Sequence, residues 1–303
     1  MKVIISGATG FVGKNLSNFL QKSSIQSIGI SLRNRDWCAS DWNNNFVAII
    51  HLAGKAHDTS NAANPDEYNK INFDLTKDVF DKFLRSTVRD FFYFSSVKAV
   101  ADSVEGVLDE NYRAQPQTPY GTSKMKAENY LLKHPLPEGK RLFIIRPCMI
   151  HGPGNKGNLN LLFNVVKKGL PWPLASFDNQ RSFLSVDNLS YLVLEMIKKE
   201  TINSGVYNFA DDISLSTNDL VALIADSIGK KRKLWFISPS IIRFFAKIGD
   251  VIPLPLNSER LKKLTESYIV SNTKIKKELK VDSLPISSAE GLRKTILSFN
   301  HKA

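Results

Sequence analysis

Three glycines set three residues apart, at a strand-to-helix junction near the start of the chain, restrict its fold more than any other feature. Val3-Ile4-Ile5-Ser6 is a β-branched apolar run. It leads straight into Gly7-Ala8-Thr9-Gly10-Phe11-Val12-Gly13, and helical apolar spacing follows over 11–20. In such a junction the first glycine permits a tight turn. The second lets backbone approach a pyrophosphate, and the third lets the helix pack closely on the sheet. The helix N-terminus then presents N–H donors and the positive end of its dipole to phosphates. The segment therefore reads as a dinucleotide-binding turn opening a βαβ unit.

The rest of the first half keeps that rhythm. Strand-like runs at 27–32, 46–52, 90–95 and 141–146 alternate with helical patterns at 68–84 and 119–133. The run at 46–52 is continuously apolar, as expected of a strand buried on both faces. Strands alternating with helices predict an α/β fold, a Rossmann doubly wound parallel sheet. The character changes after about residue 150. A Gly- and Asn-rich loop at 152–158 precedes short helices at 158–168, 186–199, 217–228 and 239–248, mixed with short strands at 183–186, 205–209 and 234–236. The expected organisation is an NAD(P)-binding domain over 1–150. Residues 151–303 would be mainly a smaller C-terminal α/β substrate lobe, with some strands returning to the sheet. The stretch 238–256 is apolar with two cations. It could touch a membrane surface, but base rates favour a helix buried in the second lobe.

Composition narrows the class. The 303 residues carry 41 Lys+Arg against 29 Asp+Glu, a net +12, and 43% are hydrophobic. These are globular values, which exclude disorder as the main state. The basic residues are spread along the chain, with denser runs at 230–233 and 262–263, and no nucleic-acid-binding signature accompanies them. Such a balance could serve nucleic acid, an anionic membrane surface or phosphorylated small molecules, but an ordinary solvated basic surface is the expectation. Cys38 and Cys148 are too few for a disulfide framework, and no metal-ligand spacing occurs. No apolar run reaches the roughly 20 residues that span a bilayer. A cytoplasmic protein without stable membrane insertion is expected, peripheral contact being the most that 238–256 would supply.

Two constellations carry chemistry. Tyr120-Gly121-Thr122-Ser123-Lys124 sets Tyr120 and Lys124 one turn apart on one helix face, just after Pro119. An ammonium beside a phenol lowers its pKa and makes it a usable acid or base. Ser95 and Ser96 end the strand at 90–95, where ligands of open α/β sheets bind. The end of the second strand discriminates cofactors. Ser31 and Arg33 stand there, with no acid before Asp36. An acid would bind a ribose diol and an arginine a 2′-phosphate, so NADP(H) is favoured, with NAD(H) the alternative.

With these residues in view, the chain resembles the extended short-chain dehydrogenase/reductase family, the NAD-dependent epimerase/dehydratase group. The resemblance runs from residue 1 to about 300. It rests on GATGFVG (7–13), HLAG (51–54), Asn72 with Thr76, FSSVKAV (94–100), PYGTSK (119–124), RPCMIHGPG (146–154), QRSFLSVDNL (180–189) and a terminal ELKV…EGLRKT pattern. It implies Ser96, Tyr120 and Lys124 as catalytic residues. It implies a cofactor site built from Gly7, Gly10, Phe11, Val12, Gly13, Arg33, Leu52, Ala53, Asn72, Ser95, Tyr120, Lys124 and Pro147, with 146–148 flanking the nicotinamide. Ser96, Asn158, Arg181 and, more weakly, Arg260 would meet a UDP-linked sugar, and no metal is implied. Members are commonly dimers through a helix pair, here 68–84 with 119–133, although both faces could equally pack internally.

Two departures matter. Family dehydratases carry an Asp-Glu pair after the serine or threonine of the fourth strand; here it is Val97-Lys98. The usual VYGPG tyrosine is His151. The string over 152–189 is most similar to a bacterial polysaccharide branch of reductases acting on UDP-4-keto-6-deoxy-N-acetylglucosamine. The expected reaction is therefore NAD(P)H-dependent reduction of a C4 keto group on a UDP-4-keto-6-deoxy-N-acetylhexosamine. The alternative is a UDP-hexose or UDP-N-acetylhexosamine 4-epimerase with tightly bound NAD, and a remote one is a non-catalytic NADP-binding scaffold.

Overall fold

A computed structural model describes residues 1–43, 45–55, 64–155, 157–252 and 256–300, with the side chains of Asn158 and Asn300 outside the description. In chain order the first half contains β1 (Lys2–Ser6), α1 (Phe11–Lys22), β2 (Gln26–Ile30), α2 (Asp36–Ala39), β3 (Phe46–His51), α3 (Pro65–Tyr68), a π-helical segment (Asn69–Asp74), α4 (Leu75–Arg85), β4 (Asp90–Phe94), β5 (Val107–Leu108), α5 (Pro119–Lys133) and β6 (Arg141–Pro147). The second half follows with β7 (Met149–His151), α6 (Asn158–Lys167), β8 (Phe183–Ser185), α7 (Val186–Lys198), β9 (Gly205–Phe209), α8 (Thr217–Ser227), α9 (Pro239–Val251), α10 (Ser258–Thr265), β10 (Ile269–Val270), α11 (Thr273–Leu279) and α12 (Ser288–Asn300).

Six strands form one sheet in the order β2-β1-β3-β4-β6-β9, every pair parallel. β4 and β6 are buried at every residue, as a sheet covered on both faces requires. Successive side chains alternate between two cores. Val3, Ile5, Ile50, Phe92, Phe143 and Ile145 pack with Leu16 and Leu20 of α1 and Leu192 and Val193 of α7. Ile4, Ile49, Phe91 and Ile144 pack on the other side, with Val79, Phe80 and Phe83 of α4 and Leu131 of α5. The fold is the expected parallel α/β sheet flanked by helices. β9 lies beyond residue 150 and pairs along Phe143–Pro147 of β6.

The helix expected at 68–84 differs from a regular one. It begins at Pro65, capped by the Asn64 side chain, and passes through the π-helical segment before α4. The wider turn points Asn72 inward. Its Oδ1 accepts from the Lys55 N–H at 2.8 Å, and its Nδ2 donates to the Lys55 carbonyl and to Ser123 Oγ. Such single-turn insertions recur at functional sites. α5 begins at Pro119 as expected, because the Thr118 hydroxyl accepts from the Gly121 N–H and Pro119 needs no hydrogen bond there.

A second core unites Phe163, Trp172, Phe183, Leu220, Ile224 and Leu292, among others. The strand expected at 234–236 is reduced to single bridges, Leu234 to Trp172 and Phe236 to Leu174, because the pairing changes direction between them. The burial expected of the 238–256 stretch is also overturned over its helix, residues 253–255 lying outside the described residues. α9 buries only Ile242 and Ala246, and leaves Ile241, Phe244, Phe245 and Val251 exposed. The helix lies at the rim of the lobe with α10 as its packed helical neighbour, so only one stripe is covered.

Candidate active site

The site assembles at the carboxyl ends of β1, β3, β4 and β6, beside the place where the chain crosses from β1 outward to β2 and back to β3. Gly7 has φ +73°, a conformation that costs glycine nothing, and a Cβ there would stand 2.9 Å from the Ala53 nitrogen. A Cβ on Gly13 would stand 2.4 Å from the Gly7 carbonyl oxygen, so α1 rests directly on the turn. Gly10 differs, since among the described residues beyond its chain neighbours only the Gly7 oxygen, at 3.2 Å, lies within contact of a Cβ there. The turn and the α1 N-terminus thus make a narrow cradle with an open side at Gly10, which fits a dinucleotide pyrophosphate. Leu52 and Ala53 close on Gly7, while Phe11 packs toward Gly152 and Gly154. Val12 joins the core.

Arg33 is exposed just past β2, and its N–H donates to Ser31 Oγ. The acid that follows, Asp36, accepts from the Asn34 side chain.

Tyr120 and Lys124 stand one turn apart on α5, with Ser96 just past the end of β4 beside Tyr120. The Ser96 hydroxyl, which accepts from the Lys98 N–H, lies close enough to the Tyr120 phenol to act on its pKa. Burial pushes that phenol above its ordinary value, and Ser96 opposes it. The sequence reading has Lys124 lowering Tyr120; in the structure it is Ser96 that favours the phenolate. Lys124 Nζ donates to the Phe94 carbonyl at 2.8 Å and lies 4.8 Å from the Tyr93 ring centroid. Burial lowers Lys124 to about 8, although Glu128 pulls it upward. Gly54 leaves room for this amine, since a Cβ there would approach it to 3.3 Å. Behind it runs a buried polar chain. The Ser6 hydroxyl meets His51 Nδ1 at 2.7 Å, and His51 Nε2 meets Thr76 Oγ1 at 3.0 Å. Burial, with the Lys124 charge adding to it, drives His51 down to about 3, so it is neutral at physiological pH.

Sequence reasoning missed one buried assembly. Arg146 at the end of β6 holds Glu128 of α5 through Nε and Nη2, and the Ser95 hydroxyl donates to the same carboxylate. Glu128 follows Lys124 by four residues on one helix face, and that spacing is the signal that could have found it. Ser95 and Asn72, both expected at the cofactor, have their polar groups committed to the framework around Lys124. Pro147 is buried at the end of β6.

The substrate candidates separate. Lys98 Nζ donates to the Asp102 carbonyl and sits 4.4 Å from the Tyr268 ring centroid. Burial lowers its pKa, with the charges of Arg181 and Lys263 adding to the effect against Asp102 and Glu266. Arg181 donates to the main-chain carbonyls of Lys263 and Glu266. Lys98, Arg181 and Lys263 therefore gather near the serine end of the site. Arg260 is exposed on α10. Asn158 starts α6, but its side chain lies outside the description.

Residues 3–210 match the model of the NAD dependent epimerase/dehydratase family. A UDP-glucose 4-epimerase of Vibrio cholerae is 30% identical over 75% of this chain and 76% of its own length. The N-acetyl-alpha-D-glucosaminyl-diphospho-ditrans,octacis-undecaprenol 4-epimerase of Escherichia coli O157:H7 is 28% identical over 91% and 84%. A GDP-6-deoxy-D-mannose reductase of Pseudomonas aeruginosa is 26% identical over 74% and 79%. Among solved structures, a UDP-glucose 4-epimerase of Thermotoga maritima with UDP-glucose superposes with a TM-score of 0.76 at 18% identity, covering 100% of this chain and 99% of the other. The glycine cradle, the serine–tyrosine pair and the family match agree: this chain belongs to the NAD-dependent epimerase/dehydratase family and is an NAD(P)-dependent enzyme of that kind.

Proposed function

We propose that the protein is an NADPH-dependent reductase of the C4 keto group of a UDP-linked 4-keto-6-deoxy-N-acetylhexosamine, acting in the synthesis of a bacterial surface polysaccharide. The observation that carries the reading is Arg33, exposed at the end of β2 with no carboxylate before Asp36. A cation there suits a 2′-phosphate. A nucleotide consumed at each turnover fits net reduction, whereas an epimerase retains its own. The nucleotide supplies hydride when bound. Tyr120 holds the proton that neutralises the oxygen formed at C4, and Ser96, beside Tyr120, bonds that oxygen. Lys124 would hold the nucleotide ribose. Lys98, Arg181 and Lys263 set positive charge where a diphosphate needs it. The place of Val97 and Lys98 holds no carboxylate pair, so elimination of water lacks its acid and base. The likeness to a reductase of a 6-deoxy sugar supports this reading.

A second reading, a UDP-sugar 4-epimerase, is favoured by the two 4-epimerase relatives. One experiment separates them: measure the nicotinamide content of freshly purified protein, then titrate NADPH and NADH. Empty protein that binds NADPH more tightly supports reduction, and UDP-4-keto sugars are then the assay. Tightly held NAD⁺ refutes the arginine argument and selects 4-epimerisation.

A further inference from the structure

We propose that the outward face of α9 is a docking surface for an anionic lipid bilayer. The inference goes beyond the reaction and stands whether the sugar is reduced or epimerised.

α9 carries two apolar stripes. Ile242, Ala246 and Gly249, spaced i, i+4 and i+7, face the second core. The first two are buried, and a Cβ on Gly249 would stand 2.0 Å from the Leu256 carbonyl oxygen. Ile241, Phe244, Phe245 and Ile248, spaced i, i+3, i+4 and i+7, form the other stripe, turned by roughly 100° about the axis. Among the described residues nothing covers it. Phe244 is 62% exposed and Phe245 55%, and Val251 at the helix end is 86% exposed. A shallow groove between Phe244, Ile248, Val251 and Ile252 is edged by Lys247.

The charge around this stripe identifies its occupant. Arg243 and Lys247 are exposed on the helix, and Lys262 is exposed on α10, which packs against it. The one acid of α9, Asp250, accepts from the Ser258 N–H and hydroxyl. The whole chain is +12. Exposed aromatic rings flanked by Arg and Lys suit the headgroup boundary of an anionic bilayer, rings toward the acyl chains and cations at the phosphates. A second copy fits poorly. A two-fold contact would gather the Arg243 and Lys247 charges of both copies around one apolar patch with no acid of α9 free to offset them. The position is also informative. α10 joins this face to the candidate site, because the carbonyls of Lys263 and Glu266 at its end hold Arg181.

The test is co-sedimentation of the full chain with vesicles of phosphatidylcholine alone and of equal phosphatidylcholine and phosphatidylglycerol. Partition onto the anionic vesicles, release by 1 M NaCl and weak binding to the neutral ones are expected, the salt level being about that which shortens the Debye length to 3 Å. Phe244→Glu with Phe245→Glu abolishes partition. Arg243→Gln with Lys247→Gln lowers it by about 30-fold, the equivalent of two surface cations. Both double variants keep the wild-type circular dichroism and nucleotide titration. The proposal is overturned by failure to bind anionic vesicles, by equal binding to neutral ones, or by partition that neither double variant changes. It is also overturned by a concentration-dependent dimer, seen in sedimentation velocity, that Phe244→Glu with Phe245→Glu disrupts.

Discussion

Replacing Lys124 with Met should stabilise the nucleotide-free protein at neutral pH while removing its activity. The amine is buried, and burial lowers its pKa from 10.5 to about 8. A lysine whose folded pKa is depressed binds fewer protons folded than unfolded between those two values. Its cost to stability is therefore full below pH 8 and is relieved as pH rises toward 10.5. At pH 7 that cost is about 3 kcal/mol, and at pH 9.5 about 1.4 kcal/mol, so the wild type should gain about 2 kcal/mol between them from this group. The substitution also loses the bond to the Phe94 carbonyl and the contact with Tyr93, worth about 1–2 kcal/mol together. The net expectation at pH 7 is a variant more stable by about 1–2 kcal/mol. Urea unfolding of both proteins at pH 7 and pH 9.5, without nucleotide, measures it. Lys82, Lys98 and Lys140 are also depressed by burial, but they are common to both proteins and cancel in the difference. A variant less stable than wild type at pH 7, or a stability gap independent of pH, would refute the reasoning.

Other substitutions test other parts of the site. Tyr120→Phe should lower kcat/KM by about 10²–10⁴-fold while nucleotide affinity, followed by NADPH fluorescence, stays within about threefold. Arg33→Ala should weaken NADPH binding by about tenfold or more and leave NADH unchanged; equal loss of both would remove the 2′-phosphate argument. Glu128→Ala leaves the Arg146 guanidinium buried without its carboxylate, and denaturant unfolding should show a loss of about 3–5 kcal/mol. Gly13→Ala should destabilise the fold by about 1–3 kcal/mol, because its Cβ meets the Gly7 carbonyl oxygen at backbone. Gly10→Ala should fold normally and lose nucleotide affinity, as seen by comparing melting with titration.

The parts of this molecule legible in the sequence are those that follow from local periodicity. The strand at 205–209 and the helix at 119–133 stand at the expected residues, because an apolar run or a Thr118-Pro119 start marks them. The π-helical turn at Asn69–Asp74 was invisible. It rests on Asn72 reaching Lys55 and Ser123, contacts 17 and 51 residues away along the chain. The same limit hid the Glu128–Arg146 pair, whose partners come from different elements. The α9 helix misled for another reason. Its apolar content is high enough for burial, but a composition does not say how many neighbours a helix has. In the site, the glycines fall within seven consecutive residues and Tyr120 and Lys124 within one helical turn, so both spacings are visible in the sequence. The groups around Arg181 were not, since carbonyls at the end of α10 engage it from more than 80 residues away.

The pairing of β9 with β6 has a consequence for how the chain is made. β6 is completed at Pro147, yet its outer neighbour ends at Phe209. During synthesis at about 5–20 residues per second, the interval of roughly 60 residues lasts about 3–12 s. Throughout it the emerging polypeptide carries a wholly apolar strand edge, Phe143 to Ile145, with unsatisfied amides on its open side. That edge is a template for pairing with another nascent chain. A ribosome paused before residue 209 would prolong the hazard, and a fragment ended near residue 150 would make it permanent.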